Sequence, residues 1–425
     1  MGYSASVATI VVFAVALLLV ALFERYRLIV VGLAAATAVA VGWVAPGQLL
    51  PRGFAATGSV IEWNALALLA GLLVYAALLG ALGLPRWAAL RLVTRMDRSP
   101  VAVYLALAGL AFAFSMVLNS LAVVLVLVPV SLEASRELRL NPVPFLFIEI
   151  LSANLGGSAT LIGNPPNLIL GAAFSLPFAG FLDHAALPAL AALGVSVAWF
   201  LGRIPKKRPE GALALPAPPR LDRAHSTIAL VGFAGVIGAL IEATTLGIPL
   251  WVIGVSAGAM GLAIAGRRFA RGLLQDFDWS TVLFLLFLFV LVGSLIETGV
   301  IGEFSQGLAD TGITNPYVLG LVLLWTLALA SAFVDNIPLA AIAVPLLRSL
   351  GPATGASTGP LAYAAAIGMG VGGNGTPIGS ISNVTALATA EREGVQIGWS
   401  EYLQAAFPAM VLGLAAASAV WVLVG

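Results

Sequence analysis

The sequence predicts an all-α polytopic membrane protein, and three observations predict it. Hydrophobic residues fill 60% of the 425 positions and charged residues only 9%, an apolar load that no soluble core needs. Two glycine-rich strings, NLGGSATLIGNPPN at 154–167 and GVGGNGTPIGSISN at 370–383, superpose at an offset of 216 residues. Two apolar stretches, 100–133 and 316–349, are each interrupted midway by a polar pair, Asn119-Ser120 in one and Asp335-Asn336 in the other. There are no cysteines, which excludes disulfides, thiolate metal sites and Cys nucleophiles together. With no HExxH string and no His within a span, the chain does not read as an intramembrane enzyme. A net charge of +1 gives no reason to expect a nucleic-acid partner.

Taken in order, apolar periodicity places spans at 5–23, 27–45, 61–84, 145–173, 183–202, 226–241, 247–265, 279–297, 360–389 and 402–424. The first lacks a basic n-region and a small-residue cleavage site and reads as a retained span. Spans 145–173 and 360–389 are broken, because paired glycines and prolines at Gly156, Gly157, Gly163, Gly372, Gly373 and Gly379 oppose continuous helix. In a bilayer, such breaks are tolerated only where the freed backbone is buried in protein or lines a polar cavity. The stretches 100–133 and 316–349 are too long for simple spans and read as re-entrant hairpins whose polar pairs form the tips.

The same offset aligns Glu62-Trp63 with Asp278-Trp279, Gly83 with Gly299, and Pro129 with Pro345. The chain therefore divides into repeat 1 (1–205), a basic linker (206–224) and repeat 2 (225–425). Repeat 1 holds scaffold spans 5–97, a hairpin at 100–137, a broken helix at 145–173 and a span at 183–202. Repeat 2 holds scaffold spans 226–297, a hairpin at 316–350, a broken helix at 360–389 and a span at 402–424. Five crossings between Trp63 and Trp279 invert the second repeat, giving ten spanning helices, two re-entrant hairpins and two helices broken at mid-membrane. Of the 20 Lys and Arg residues, all but Arg52 and Arg348 fall on one face. The richest cluster is Arg203, Lys206, Lys207, Arg208, Arg220 and Arg223. By the positive-inside rule that face is cytoplasmic and both termini lie outside the inner (plasma) membrane.

Paired breaks at equivalent positions of two halves point to a transporter binding site. The expected chamber is lined by Asn119, Ser120, Ser158, Thr160, Asn164, Asn167, Asn336, Asn374, Thr376, Ser380 and Asn383 together with Asp335. Asn164 and Ser380 are the expected helix caps. No Lys or Arg is expected inside, which favours a neutral polyhydroxy solute or a cation over a strongly anionic one. Asp335 is the expected proton- or ion-coupling residue, since a carboxylate at the bilayer centre costs about 2.5–3.5 kcal/mol on insertion scales. Its alternative is a helix N-cap. Glu149 reads either as a second coupling group or as a residue near the cytoplasmic rim. Glu62, Asp278, Glu242 and Glu297 read as solvated span ends, and His184 and His225 as loop residues. No cofactor or metal is called for.

These strings, with VLNSLAVVLVLVP paired to FVDNIPLAAIAVP, resemble the ion transporter superfamily, which includes arsenite/antimonite efflux pumps, the melanosomal P protein and divalent-anion/sodium symporters. The resemblance spans nearly the whole chain and implies an elevator mechanism, with a scaffold of simple spans and a mobile unit holding hairpins and breaks. It also implies homodimerisation through the scaffold and, for the arsenical pump type, a soluble ATPase partner. The Gly-Asn-Pro-Pro-Asn string is most similar to arsenical pump membrane proteins and P-protein-like members. Relatives often carry Asn-Asp at the first tip where this chain has Asn119-Ser120, leaving Asp335 as the lone tip carboxylate. The expected function is proton-coupled efflux of arsenite and antimonite. The alternatives on the same fold are sodium- or proton-coupled transport of small carboxylates or inorganic anions, and cation/proton antiport.

Overall fold

A computed structural model describes residues 3–50, 59–96, 99–205, 216–275, 277–313 and 315–424. Arg52, Lys206, Lys207 and Arg208, on which part of the charge asymmetry rests, lie outside them. Every regular element among the described residues is helical. The chain opens with α1 (Tyr3–Leu22) and α2 (Arg27–Ala40), then α3 (Trp63–Ala81) and α4 (Leu84–Val93). The first hairpin is α5 (Pro100–Ser115) and α6 (Ser120–Glu137), and the first broken helix is α7 (Val143–Ser158) and α8 (Pro165–Phe174). A short α9 (Phe178–Phe181) continues through a π-helical turn into α10 (Leu187–Leu201). The second half runs α11 (Arg223–Leu246), α12 (Leu250–Gln275), α13 (Trp279–Glu297) and α14 (Val300–Ala309). It then forms a hairpin from α15 (Pro316–Ser331) and α16 (Asn336–Thr354), a broken helix from α17 (Thr358–Gly372) and α18 (Ile381–Arg392), and α19 (Trp399–Val424).

Helices α3, α4, α5, α6 and α8 begin 216 residues before α13, α14, α15, α16 and α18. Local chemistry accounts for these shared limits. Gly83 and Gly299 end α3 and α13 at φ of 72° and 86°, a left-handed conformation that an L-residue adopts only with strain. Ser99 and Asn315 cap α5 and α15 just ahead of Pro100 and Pro316, which donate no amide hydrogen.

Several elements differ from the sequence reading. Helices α4 and α14 are separate short helices where span ends and loops were expected, because a left-handed glycine turns the chain instead of releasing it to solvent. His184 sits in the π-helical turn, its ring stacked 5.0 Å from that of Tyr363, and is not a loop residue. His225 lies in the first turn of α11, whose N-cap Asp222 accepts from the His225 amide and faces its imidazole at 2.8 Å. Those contacts hold the exposed Asp222 carboxyl below the usual carboxylate range.

By length and composition, seven of the described helices could cross a membrane. They include α16, one arm of the expected second hairpin, while α2 and both halves of the first broken helix fall below that length. The interrupted elements make their crossings in pieces, and a length criterion cannot add pieces together.

Packing interleaves the two halves. Helices α1 and α2 pack on α13, while α11 and α12 pack on α3. The hairpin arm α6 packs on α18, and α16 packs on α8, so each hairpin leans on the other half's broken helix. The closest crossing is α3 on α12, where a Cβ on Gly71 would run into the Gly254 carbonyl and one on Gly254 into Leu68. Small residues let helices approach closely enough for dispersion and weak Cα–H···O contacts to replace the hydrophobic drive that lipid does not supply. Gly254→Val is therefore expected to destabilise the protein by about 1–3 kcal/mol through overpacking. Gly235→Val, with open space around it, should leave stability near wild type. Thermal unfolding in detergent checks both, and equal midpoints would rule out the close crossing.

Candidate functional site

The two hairpin tips and the two helix breaks meet at one small chamber. It is lined by Asn119 and Ser120 from the first tip, Asp335 and Asn336 from the second, Asn164 before α8, and Ser380 before α18. Asp278, Thr281 and Ser382 complete the polar part of its wall. The space left for water-sized groups is about 30 Å³, where one water needs roughly 10–15 Å³.

The N-terminal ends of α6, α8, α16 and α18 all border this space. Asn119 Oδ1 accepts from the Leu121 amide at 3.0 Å and Asp335 Oδ1 from the Ile337 amide at 2.9 Å, equivalent caps on the two tips. Asn164 Oδ1 caps α8 by accepting from the Asn167 amide at 3.1 Å. Ser380 occupies the corresponding place before α18, but its hydroxyl lies 2.8 Å from that of Ser382 and makes no cap bond. Asp335 is thus a cap and a chamber-lining carboxylate at once. Four helix N-termini carry partial positive charge toward one point, an arrangement that favours electron-rich oxygen.

The other six polar residues expected in the chamber are turned into the breaks themselves. Asn167 Nδ2 donates to the carbonyls of Gly157, Ser158 and Thr160 at 3.3, 3.1 and 2.7 Å. Asn383 Nδ2 donates to those of Gly373 and Thr376 at 2.7 and 2.9 Å. Thr160 Oγ1 donates to the Met116 carbonyl and Thr376 Oγ1 to that of Ala332, tying each break to its own half's hairpin turn. Ser158 Oγ donates to the Leu155 carbonyl at 2.8 Å. Asn374 is buried and accepts from Asn154 Nδ2 at 2.8 Å. Asn154 Nδ2 also donates to Asn383 Oδ1 at 2.8 Å, and Asn154 Oδ1 accepts from Ser382 Oγ at 2.7 Å.

Two corrections concern the breaks and the charges. Helix α7 continues to Ser158 and α17 to Gly372, so Gly156, Gly157 and Gly372 are helical and the interruptions start later than expected. Gly156 and Gly372 serve close approach: an added Cβ would strike the carbonyl of Phe112 on α5 or of Ala328 on α15. Secondly, a cation does stand beside the chamber. Arg27, the first residue of α2, shares with Asp335 an adjoining cavity of about 40 Å³. Its guanidinium donates to Thr281 Oγ1 at 3.2 Å and lies 5.5 Å from the Phe284 ring centroid. Thr281 Oγ1 in turn donates to Asp278 Oδ2 at 2.5 Å, so Asp278 caps α13 at the chamber wall and is half-buried, not a solvated end.

Arg27, Asp278, Thr281, Ser382 and Asn154 were not among the expected site residues. Only Asn154 carried a signal, as the first residue of the motif string. Glu149 is fully buried beside Ser131 of α6 and does not line the chamber. It precedes the end of α7 by nine residues, about 13 Å along the helix. Asn154→Ala should leave the Asn374 and Asn383 acceptors and the Ser382 donor unpaired, at about 1–3 kcal/mol each. The expected result is a lower unfolding midpoint in detergent than for Ser120→Ala, whose hydroxyl only lines the chamber. The reverse order would count against the network.

Comparison with known proteins follows from this geometry. Residues 17–368 match the family model described as citrate transporter, CitMHS. An uncharacterized transporter of Mycobacterium tuberculosis is 30% identical over 80% of this chain and 82% of its own. Another from that organism is 29% identical over 97% of both chains. The human P protein is 26% identical over 83% of this chain and 53% of its own length. Among solved structures, the Alcanivorax borkumensis YdaH transporter superposes with a TM-score of 0.59 at 15% identity, covering 94% of this chain and 97% of that one. Neisseria gonorrhoeae MtrF, described as an antimetabolite efflux pump, gives 0.56 at 14% identity, covering 94% and 85%. The fold is that of YdaH-like transporters, and the chain is a multi-pass membrane transporter belonging to the CitMHS citrate-transporter family of the ion transporter superfamily.

Proposed function

We propose that this chain is a secondary active transporter for a small oxygen-rich solute, carried by two inverted repeats working as an elevator. The observation that carries this reading is the convergence of four helix N-termini from both halves on one polar chamber. The shared helix limits at a 216-residue spacing support the repeats. The bonds from Thr160 and Thr376 to the hairpin turns support a mobile unit in which tips and breaks travel together. The scaffold is then α1–α3 with α11–α13, a homodimer through the scaffold is in keeping with such a unit, and the termini lie outside. Asp335 is the coupling carboxylate in this scheme.

The helix ends and the adjoining Arg27 favour a carboxylate or inorganic oxyanion, as the family description suggests. Proton-coupled export of arsenite or antimonite is the second reading. It is favoured by the neutral amide and hydroxyl rim and by a chamber of about 30 Å³, too tight for a tricarboxylate without opening. Counterflow of labelled citrate and of arsenite in proteoliposomes, under an imposed proton or sodium gradient, separates the two. Saturable counterflow of one solute, stimulated by one gradient, is the expected result. Asp335→Asn should abolish the stimulation while leaving the fold intact, since Asn119 already caps the other tip. Unsaturable flux indifferent to any gradient would instead indicate a channel.

A further inference from the structure

The sequence places no fixed cation in the transport chamber, yet the structure brings one to its side. Arg27 and Asp335 face each other across a cavity of about 40 Å³ whose remaining wall is mostly apolar, with Leu17 and Val20 of α1, Phe284 of α13, Pro338 of α16, and Ile381 and Val384 of α18. Asp278, the other carboxylate nearby, is engaged by the amide and hydroxyl of Thr281. Thr281 also holds the guanidinium in place. Arg27 and Asp335 form no ion pair within 4.0 Å, so the carboxylate balances the guanidinium across a gap.

The other half has an equivalent cavity without charges. It is bordered by Asn119, Ile162, Leu168 and Phe233, which stand 216 residues from Asp335, Ile378, Val384 and Leu17 of the first cavity. At the positions equivalent to Arg27, Thr281 and Phe284 that half has Ala243, Ala65 and Leu68. The cation, the hydroxyl that orients it, the ring beneath it and the facing carboxylate therefore occur together in one cavity and are all replaced in the other.

We propose that the cavity between Arg27 and Asp335 is a subsite for an anionic oxygen group of the cargo, in which the guanidinium is balanced in turn by the Asp335 carboxylate and by that group. A half-buried guanidinium facing low-dielectric walls requires one counter-charge, and a second anion beside an ionised Asp335 is repelled. When Asp335 takes a proton from the aqueous phase, its negative charge is lost. Arg27 is then free for a carboxylate or phosphate-like oxygen, which it can hold bidentately. Return of the carboxylate to its ionised form expels the anion and the proton leaves. One proton thus accompanies one negative charge. The inference rests on the reading of this chain as a transporter of oxygen-rich solutes, and it selects the anionic class.

The natural chain lacks cysteine, so Leu17→Cys supplies a single label in the cavity wall. The ratio of its reaction rates with a sulfonate-bearing and a trimethylammonium-bearing methanethiosulfonate reads the local charge without any cargo. Adding Asp335→Asn should raise the anionic preference severalfold, adding Arg27→Gln should reverse it, and Arg27→Lys should retain the wild-type sign. Citrate or inorganic phosphate should then slow labelling by neutral N-ethylmaleimide in the Asp335→Asn protein and not in the Arg27→Gln, Asp335→Asn double variant. A ratio indifferent to Arg27, a Leu17→Cys thiol that no reagent reaches, or protection by neither anion in any variant overturns the subsite. Protection by phosphate with no counterflow of citrate leaves the subsite standing and removes the citrate reading. Size-exclusion chromatography of each variant shows that the fold persists.

Discussion

Two asparagine side chains satisfy the backbone that the broken helices set free. A carbonyl left without a partner in the protein interior costs about 1–3 kcal/mol, and more where lipid excludes water. Asn167 and Asn383 each turn one amide nitrogen back onto carbonyls of their own break. The next link belongs to Thr160 and Thr376, whose hydroxyls reach the carbonyls of Met116 and Ala332 in the hairpin turns. Break and turn in each half therefore share hydrogen bonds, and neither can shift without exposing the other's carbonyls. The helix N-termini left over from this arrangement are the ones that border the chamber.

This division of labour decides which polar residues remain available to a solute. Asn167, Asn383, Thr160 and Thr376 spend their donors on the backbone, as Ser158 does on Leu155. Asn119, Ser120, Asn164, Asp335, Asn336 and Ser380 occupy the chamber wall. A residue of the first kind matters for the shape of the site and one of the second for contact within it. Asn154 belongs to the first kind, and its reach is longer: it joins α7 to both parts of the second broken helix through Asn374, Ser382 and Asn383.

Much of this was legible in the chain because the duplicated strings preserve chemistry at a fixed spacing. Gly, Pro and Asn at matching positions announce an interrupted helix, and a polar pair within an apolar run announces a turn at depth. What was not legible depends on neighbours far apart in sequence. Arg27 reads as a loop charge after the first span, next to Arg25; only the packing of α2 on α13 sets it beside Thr281 and Asp335. The sequence places Asn167 and Asn374 in the same motif, yet gives no sign of whether a side chain turns to a carbonyl or to a cavity. Gly156 reads as a helix breaker, although it is helical and lies under the Phe112 carbonyl of another helix.

The differences between the halves are as informative as their likeness. The position equivalent to Asn154 in the second half is Gly370, where an added Cβ would strike Ser158. Two asparagines cannot both occupy the crossing of α7 and α17, so one half supplies the amide and the other the space. Accordingly Asn383 Oδ1 receives a hydrogen bond from Asn154, whereas Asn167 Oδ1, facing the glycine side, has no partner among the described residues. Charge obeys the same rule. A carboxylate stands at the tip where α2 brings an arginine, and an asparagine stands at the tip whose equivalent neighbour is Ala243. Had duplication alone set these residues, both tips would carry the same group. A buried charge is stable only beside its counter-charge, so the two exchanges, Asn119 for Asp335 and Ala243 for Arg27, are physically one.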